Sequence, residues 1–221
     1  MLLCCPIGFS GLQSRVTSTR VLVPAATRSD AVTAGKPQWW VSPMEMSVAC
    51  LTDVLTRAGA DVTLASVEKT LELRLNHGIT VVADVFFDSC AQTEWAAIAS
   101  PGGEGSERLA DCTALIELLR LQRQKLRPMV AVGESPAELL AAHQLLEFDE
   151  KATSYPSARL KKVIGAACAG WWDANVVVDR KVVTSQGPGT AMACALKLVE
   201  LLFGAQKASA LSSELLCPCT Y

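Results

Sequence analysis

The chain has 221 residues, half of them hydrophobic, with 20 basic and 22 acidic residues and a formal net charge of −2. That is enough apolar material for one large core, so a wholly disordered chain is excluded, and the even charge balance argues against a nucleic-acid-binding role. Apolar stretches such as Ile79 to Ala83 are far shorter than the roughly 20 residues of a membrane-spanning helix, so no membrane span is expected.

Residues 1–18 carry arginine, serine and threonine but no acid. They read as a flexible arm, with a short mitochondrial targeting segment as the alternative. Arg20 to Ala26 reads as the first strand. A loop with Trp39-Trp40 follows, and Ser42-Pro43 has the form of a helix cap with proline in the first turn. Apolar residues from Met46 to Ala58 recur at helical spacing, and Gly59 ends that helix. Val62 to Ala65 is a second strand. Leu71 to Leu75 and Ile79 to Ala83 flank Asn76-His77-Gly78 as a hairpin.

Trp95 to Ser100 is the next strand, closed by Pro101-Gly102-Gly103, and Glu107 to Gln124 reads as one helix. Met129 to Val132 is a short buried strand that runs through Gly133-Glu134-Ser135-Pro136 into a helix from Ala137 to Leu146. Arg159 to Ile164 is a short helix. Val176 to Val178 and Val182 to Thr184 form a hairpin, Thr190 to Phe203 is the last helix, and 205–221 is a tail. Strands alternating with helices imply an α/β three-layer sandwich around a mostly parallel sheet. Sites in such folds lie where strands run into helices, which points to Gly102-Gly103 and to the turn at Gly133.

The nine cysteines are odd in number and scattered, several inside apolar runs, as core filler in a reducing compartment would be. The expected location is cytoplasmic. With only two histidines, His77 and His143, no metal site is expected. Neither a Walker pattern nor a dinucleotide fingerprint is present, so no cofactor is expected.

The segment Met129 to Ala141 has the shape of a nucleophile elbow, a tight turn that presents one side chain above a helix N-terminus, and Gly102-Gly103 offers backbone N–H groups as an oxyanion cradle. The ordered set of Asp53-Val54-Leu55, Arg57-Ala58-Gly59, Pro101-Gly102-Gly103, Val132 to Ala141 and Thr184-Ser185-Gln186-Gly187-Pro188-Gly189-Thr190 resembles the ThiJ/PfpI superfamily, which includes the Parkinson-associated deglycase-like proteins. The resemblance covers residues 19–204. It implies a flavodoxin-like sandwich and a homodimer.

The site residues of that family are replaced here. The family's elbow cysteine lies three residues before the elbow proline, which is Gly133. Its first-helix glutamate, six residues before the aspartate that matches Asp53, is Ser47. Its histidine before a proline is Tyr155. These losses imply a non-catalytic protein with a small-molecule pocket at the elbow, built from Ser47, Gly102, Gly103, Gly133, Glu134, Ser135 and Tyr155. The alternative is a glyoxalase-, deglycase- or hydrolase-like enzyme for small carbonyl compounds with a rearranged site. Two other nucleophiles are open. Ser135 sits in a Gly-x-Ser-x-Ala turn, although a helix cap explains it more simply. Cys168 sits in Ala166-Ala167-Cys168-Ala169-Gly170, although Trp171-Trp172 follows where a proline and helix belong.

Overall fold

The computed structural model describes residues 19–27 and 44–217. Its elements are β1 (Arg20–Ala25), α1 (Met44–Ala58), β2 (Asp61–Ser66), β3 (Glu72–Arg74), β4 (Thr80–Val82), β5 (Val85–Phe86) and α2 (Phe87–Cys90). There follow β6 (Ala97–Ser100), α3 (Ser106–Asp111), α4 (Thr113–Gln124), β7 (Met129–Val132) and a π-helix at Pro136–Ala141. The chain continues through α5 (Ala158–Ala167), β8 (Val176–Asp179), β9 (Val182–Ser185), α6 (Ala191–Phe203) and α7 (Ala205–Glu214).

Seven strands form one sheet in the order β5-β2-β1-β6-β7-β9-β8. Every pairing is parallel except β8 with β9. Helices cover both faces, which gives the flavodoxin-like three-layer α/β fold. The period of two in a strand divides each one between two cores. In β7, Met129 and Ala131 join a cluster with Leu109, Leu139 and Ile164, whereas Val130 and Val132 join Leu51, Leu55 and Val199 on the other face. The short β7 is thus buried on both sides, and its C-terminal end is a fixed platform for the turn that follows.

Three stretches differ from the sequence expectation. The helix expected over 107–124 is broken at Cys112, whose φ of −78° and ψ of 95° are extended. The helix expected over 137–146 is a π-helix confined to Pro136–Ala141, followed by turns. Within the expected 205–221 tail, 205–214 forms α7, because Ala208 and Leu211 bury against the core that holds α1 and α6. The expected hairpin does form, β3 pairing antiparallel with β4, and its turn at Asn76–Gly78 places His77 in the left-handed region, at φ 54°. The 1–18 arm, Trp39-Trp40, the Ser42-Pro43 cap and 218–221 lie outside the described residues.

Candidate functional site

The turn after β7 is held from both sides. Gly133 donates its N–H to the Ser185 carbonyl at 2.8 Å, and its own carbonyl accepts the Tyr155 N–H at 2.7 Å. Gly133 has φ +64°, a conformation that L-residues adopt only under strain. Glycine neighbours surround it. A Cβ on Gly133 would lie 3.4 Å from the Gly102 Cα, 3.9 Å from the Gly103 N and 3.9 Å from the Gly187 Cα. These are ordinary contacts, so the elbow faces a glycine-walled niche with room for a side chain that the sequence does not supply. The opposite holds at Gly102, where a Cβ would fall 2.2 Å from the Val132 carbonyl oxygen. The backbone at 102 therefore presses directly on the elbow, and only glycine fits there.

Glu134 turns back over this niche. Its Oε2 accepts the Gly103 N–H at 2.8 Å, and the residue is half-buried. A carboxylate thus occupies one N–H of the cradle that the glycine pair presents, just ahead of the π-helix N-terminus, where a negative charge is favoured. The Gly103 carbonyl is held too. Ser106 Oγ lies 2.7 Å from it and 2.5 Å from Glu138 Oε2, and Arg159 binds the other Glu138 oxygen at 2.5 Å. This Ser106–Glu138–Arg159 chain fixes the Gly103 peptide that Glu134 reads. Its bonded pairs are 32 and 21 residues apart, so the sequence carries no local signal for it.

The other sequence candidates fall as follows. Tyr155 is 41 % exposed, and its ring lies over Gly187, with Cδ2 3.7 Å from where a Cβ would be, so it borders the niche. Ser135 is fully buried, and its hydroxyl donates to the Pro101 carbonyl at 2.5 Å. It makes no side-chain cap, contrary to expectation, because that bond ties the elbow to the glycine loop instead. A buried hydroxyl already donating to a carbonyl is not set up as a nucleophile. Ser47 is fully buried on α1, and its hydroxyl has no hydrogen-bond partner among the described residues, so it does not join the elbow network.

Cys168 does not reach the elbow turn. It caps the C-terminal end of α5, 5 % exposed in the core, and its thiol faces the Ile164 carbonyl at 3.3 Å. Burial pushes that thiol up from its ordinary range, the reverse of an activated nucleophile. Burial likewise raises Cys50, Cys90 and Cys112, and takes Cys194 to about 12. Among the described residues, no group of three or more His, Cys, Asp or Glu side chains is placed to share a metal ion. No helix among them is long and apolar enough to cross a membrane.

Sequence reasoning also missed a pair at the start of α1. Glu45, in the first turn of α1, holds His77 Nδ1 at 2.7 Å across 32 residues of sequence.

Comparison with known proteins places this geometry. Residues 42–201 match the model of the DJ-1/PfpI family. Protein DJ-1 homolog A of Arabidopsis thaliana is 40 % identical over 175 residues, which are 79 % of this chain and 43 % of that protein. Protein DJ-1 homolog B of the same plant is covered over 42 % of its length, so the chain spans under half of these relatives. A Caenorhabditis elegans relative named glutathione-independent glyoxalase DJR-1.2 is 34 % identical over 171 residues, 77 % of this chain and 89 % of that protein. The oxidised DJ-1 structure of Toxoplasma gondii superposes with a TM-score of 0.78 at 34 % identity, covering 90 % of this chain and 98 % of that one. The expectation of a non-catalytic protein is overturned by the nematode relative, which bears the name of an enzyme and is matched over nearly its whole length.

Proposed function

The chain belongs to the DJ-1/PfpI family, and from that premise we propose that it is a glyoxalase- or deglycase-like enzyme for small carbonyl compounds, working at a rearranged elbow without a thiol. The observation that carries the reading is the Glu134 carboxylate, held 2.8 Å from the Gly103 N–H beside the empty niche of Gly133. The name of the nematode relative supports the substrate class.

A carboxylate in that position serves as a general base. For methylglyoxal, water first adds to the aldehyde. Glu134 then takes the proton from the hydrated carbon, and the electron pair moves toward the neighbouring carbonyl to give an ene-triolate, which carries both hydroxyls of the hydrate. Returning the proton to that neighbouring carbon yields lactate. Reactant plus water equals product, and no cofactor or redox partner is consumed. The niche at Gly133 admits a substrate oxygen where the family places sulfur, and Tyr155 borders its mouth. Ser135, Gly102 and Gly103 act as scaffold.

The reading includes a homodimer in a reducing cytoplasmic setting, supported by family membership and by six free cysteines among the described residues. The test is lactate formation from methylglyoxal by the purified protein. Wild type and Cys168→Ser turn over, and Glu134→Gln loses about 100-fold or more. Loss of turnover in Cys168→Ser would overturn the reading.

A further inference from the structure

The Glu45–His77 pair has the geometry of an acid–base centre. A carboxylate oxygen only accepts, so in the 2.7 Å bond Nδ1 donates its N–H to Glu45, and Nε2 stays outside that bond. The Glu45 side chain is 6 % exposed, while that of His77 is 38 % exposed. One nitrogen is thus held from inside and the ring is open to solvent, as a carboxylate orients an imidazole base. The second Glu45 oxygen, Oε2, is buried with no hydrogen-bond partner among the described residues. A pair present only to close the fold would satisfy both oxygens. His77 also sits at φ 54°, a strained conformation for a non-glycine residue, at the tip of the β3–β4 hairpin.

The helix start that carries Glu45 lies against the glycine loop of the elbow. A Cβ on Gly103 would fall 2.7 Å from the Met44 N, so the start of α1 abuts the peptide that binds Glu134, and Glu45 is the next residue.

We infer that Glu45–His77 is a second acid–base site, in which His77 Nε2 activates the water that adds to the aldehyde carbon of a small substrate at the elbow. His77 takes one proton from the water as its oxygen bonds to that carbon, and the former carbonyl oxygen is protonated from solvent. Collapse of the hydrate reverses these steps. His77 is the catalytic group, and Glu45 is a positioning residue that acts through it. This assignment rests on the elbow reading for its substrate class, but hydration is a separate step from the Glu134 proton transfer.

The experiment uses acetaldehyde, which hydrates but has no second carbonyl to become a hydroxy acid. Exchange of its oxygen with ¹⁸O-labelled water is followed with the full-length protein. Wild type accelerates exchange. His77→Gln lowers the catalysed rate by about 100-fold, and Glu45→Gln, which keeps an acceptor but loses the charge, lowers it by about 10-fold. Exchange that is absent in wild type, or unchanged in His77→Gln, overturns the inference. Methylglyoxal giving no lactate while acetaldehyde exchange persists would sink the elbow reading alone. A readout independent of turnover is ¹⁵N NMR of the two histidines, assigned with a His143→Gln variant. The assignment requires a neutral His77 with the proton on Nδ1 and a bare Nε2. The opposite tautomer overturns it, even if Glu45→Gln fails to fold.

Discussion

Adding one methyl group at Gly133 separates the cost of the backbone from the use of the niche. In Gly133→Ala the new Cβ meets nothing closer than 3.4 Å, so packing does not oppose it. Its cost comes from φ +64°, about 1–2 kcal/mol for an L-residue. For a chain of this size that is a fall in Tm of about 2–8 °C. Gly102→Ala is the contrast, because its Cβ would sit 2.2 Å from the Val132 carbonyl oxygen and the backbone itself must move. That overlap costs about 3 kcal/mol or more. The methyl at 133 stands where the account puts a substrate oxygen, so kcat/KM for methylglyoxal falls by about 10- to 100-fold while the fold survives. Thermal unfolding and lactate formation measure the two effects. Wild-type kcat/KM in Gly133→Ala would refute the niche as a binding site. A Tm loss equal to that of Gly102→Ala would refute the steric argument.

Other predictions concern different parts of the molecule. Cys168 and Cys194 resist iodoacetamide in the native protein at neutral pH, since burial raises both thiols; rapid native alkylation of either, located by mass spectrometry, would contradict their packing. The folded Cys194 thiol is raised from 9.0 to about 12, so the unfolded chain releases that proton first as pH rises. Its contribution to stability is complete below about pH 9 and falls toward pH 12 by about 1.4 kcal/mol per pH unit. Urea unfolding of Cys194→Ala shows a shallower decline over that window. Leu211→Ala, in α7, costs about 2–4 kcal/mol because Leu211 is 3 % exposed in the core; an unchanged midpoint would show that α7 does not dock.

The sheet was legible because its central strands are short apolar runs buried on both faces, as Met129 to Val132 shows. The end of α1 was legible as well, since Gly59 adopts φ +95°, which favours glycine. Helix α7 was missed because its sequence, AQKASALSSE, buries only Ala208, Leu211 and Ser212 and offers no strong apolar stripe. The π-helix after the elbow has no local signature, and proline at its first position reads equally well as the start of an α-helix. At the site, counting along a familiar motif pointed to Gly133, Glu134 and Tyr155. It did not reveal that Glu134 folds back onto Gly103, or that Ser135 spends its hydroxyl on Pro101, because those bonds cross 31 and 34 residues. The glycine at 133, where the resemblance implies a thiol, is plain in the sequence, but the conclusion that activity is lost with it did not follow. The carboxylate one residue on is the base of the proposed reading, and only the folded chain brings it to the Gly103 N–H.

The central claim is that chemistry at this elbow is a proton transfer by Glu134 and needs no sulfur. Methylglyoxal turnover in D₂O, with the lactate analysed by ¹H NMR, tests it most directly. The account predicts lactate carrying deuterium at C2, because the proton held by a half-buried Glu134 exchanges with solvent before it is returned. Lactate with only protium at C2 would mean that hydrogen moves directly between the two carbons, and the assigned role of Glu134 would be wrong.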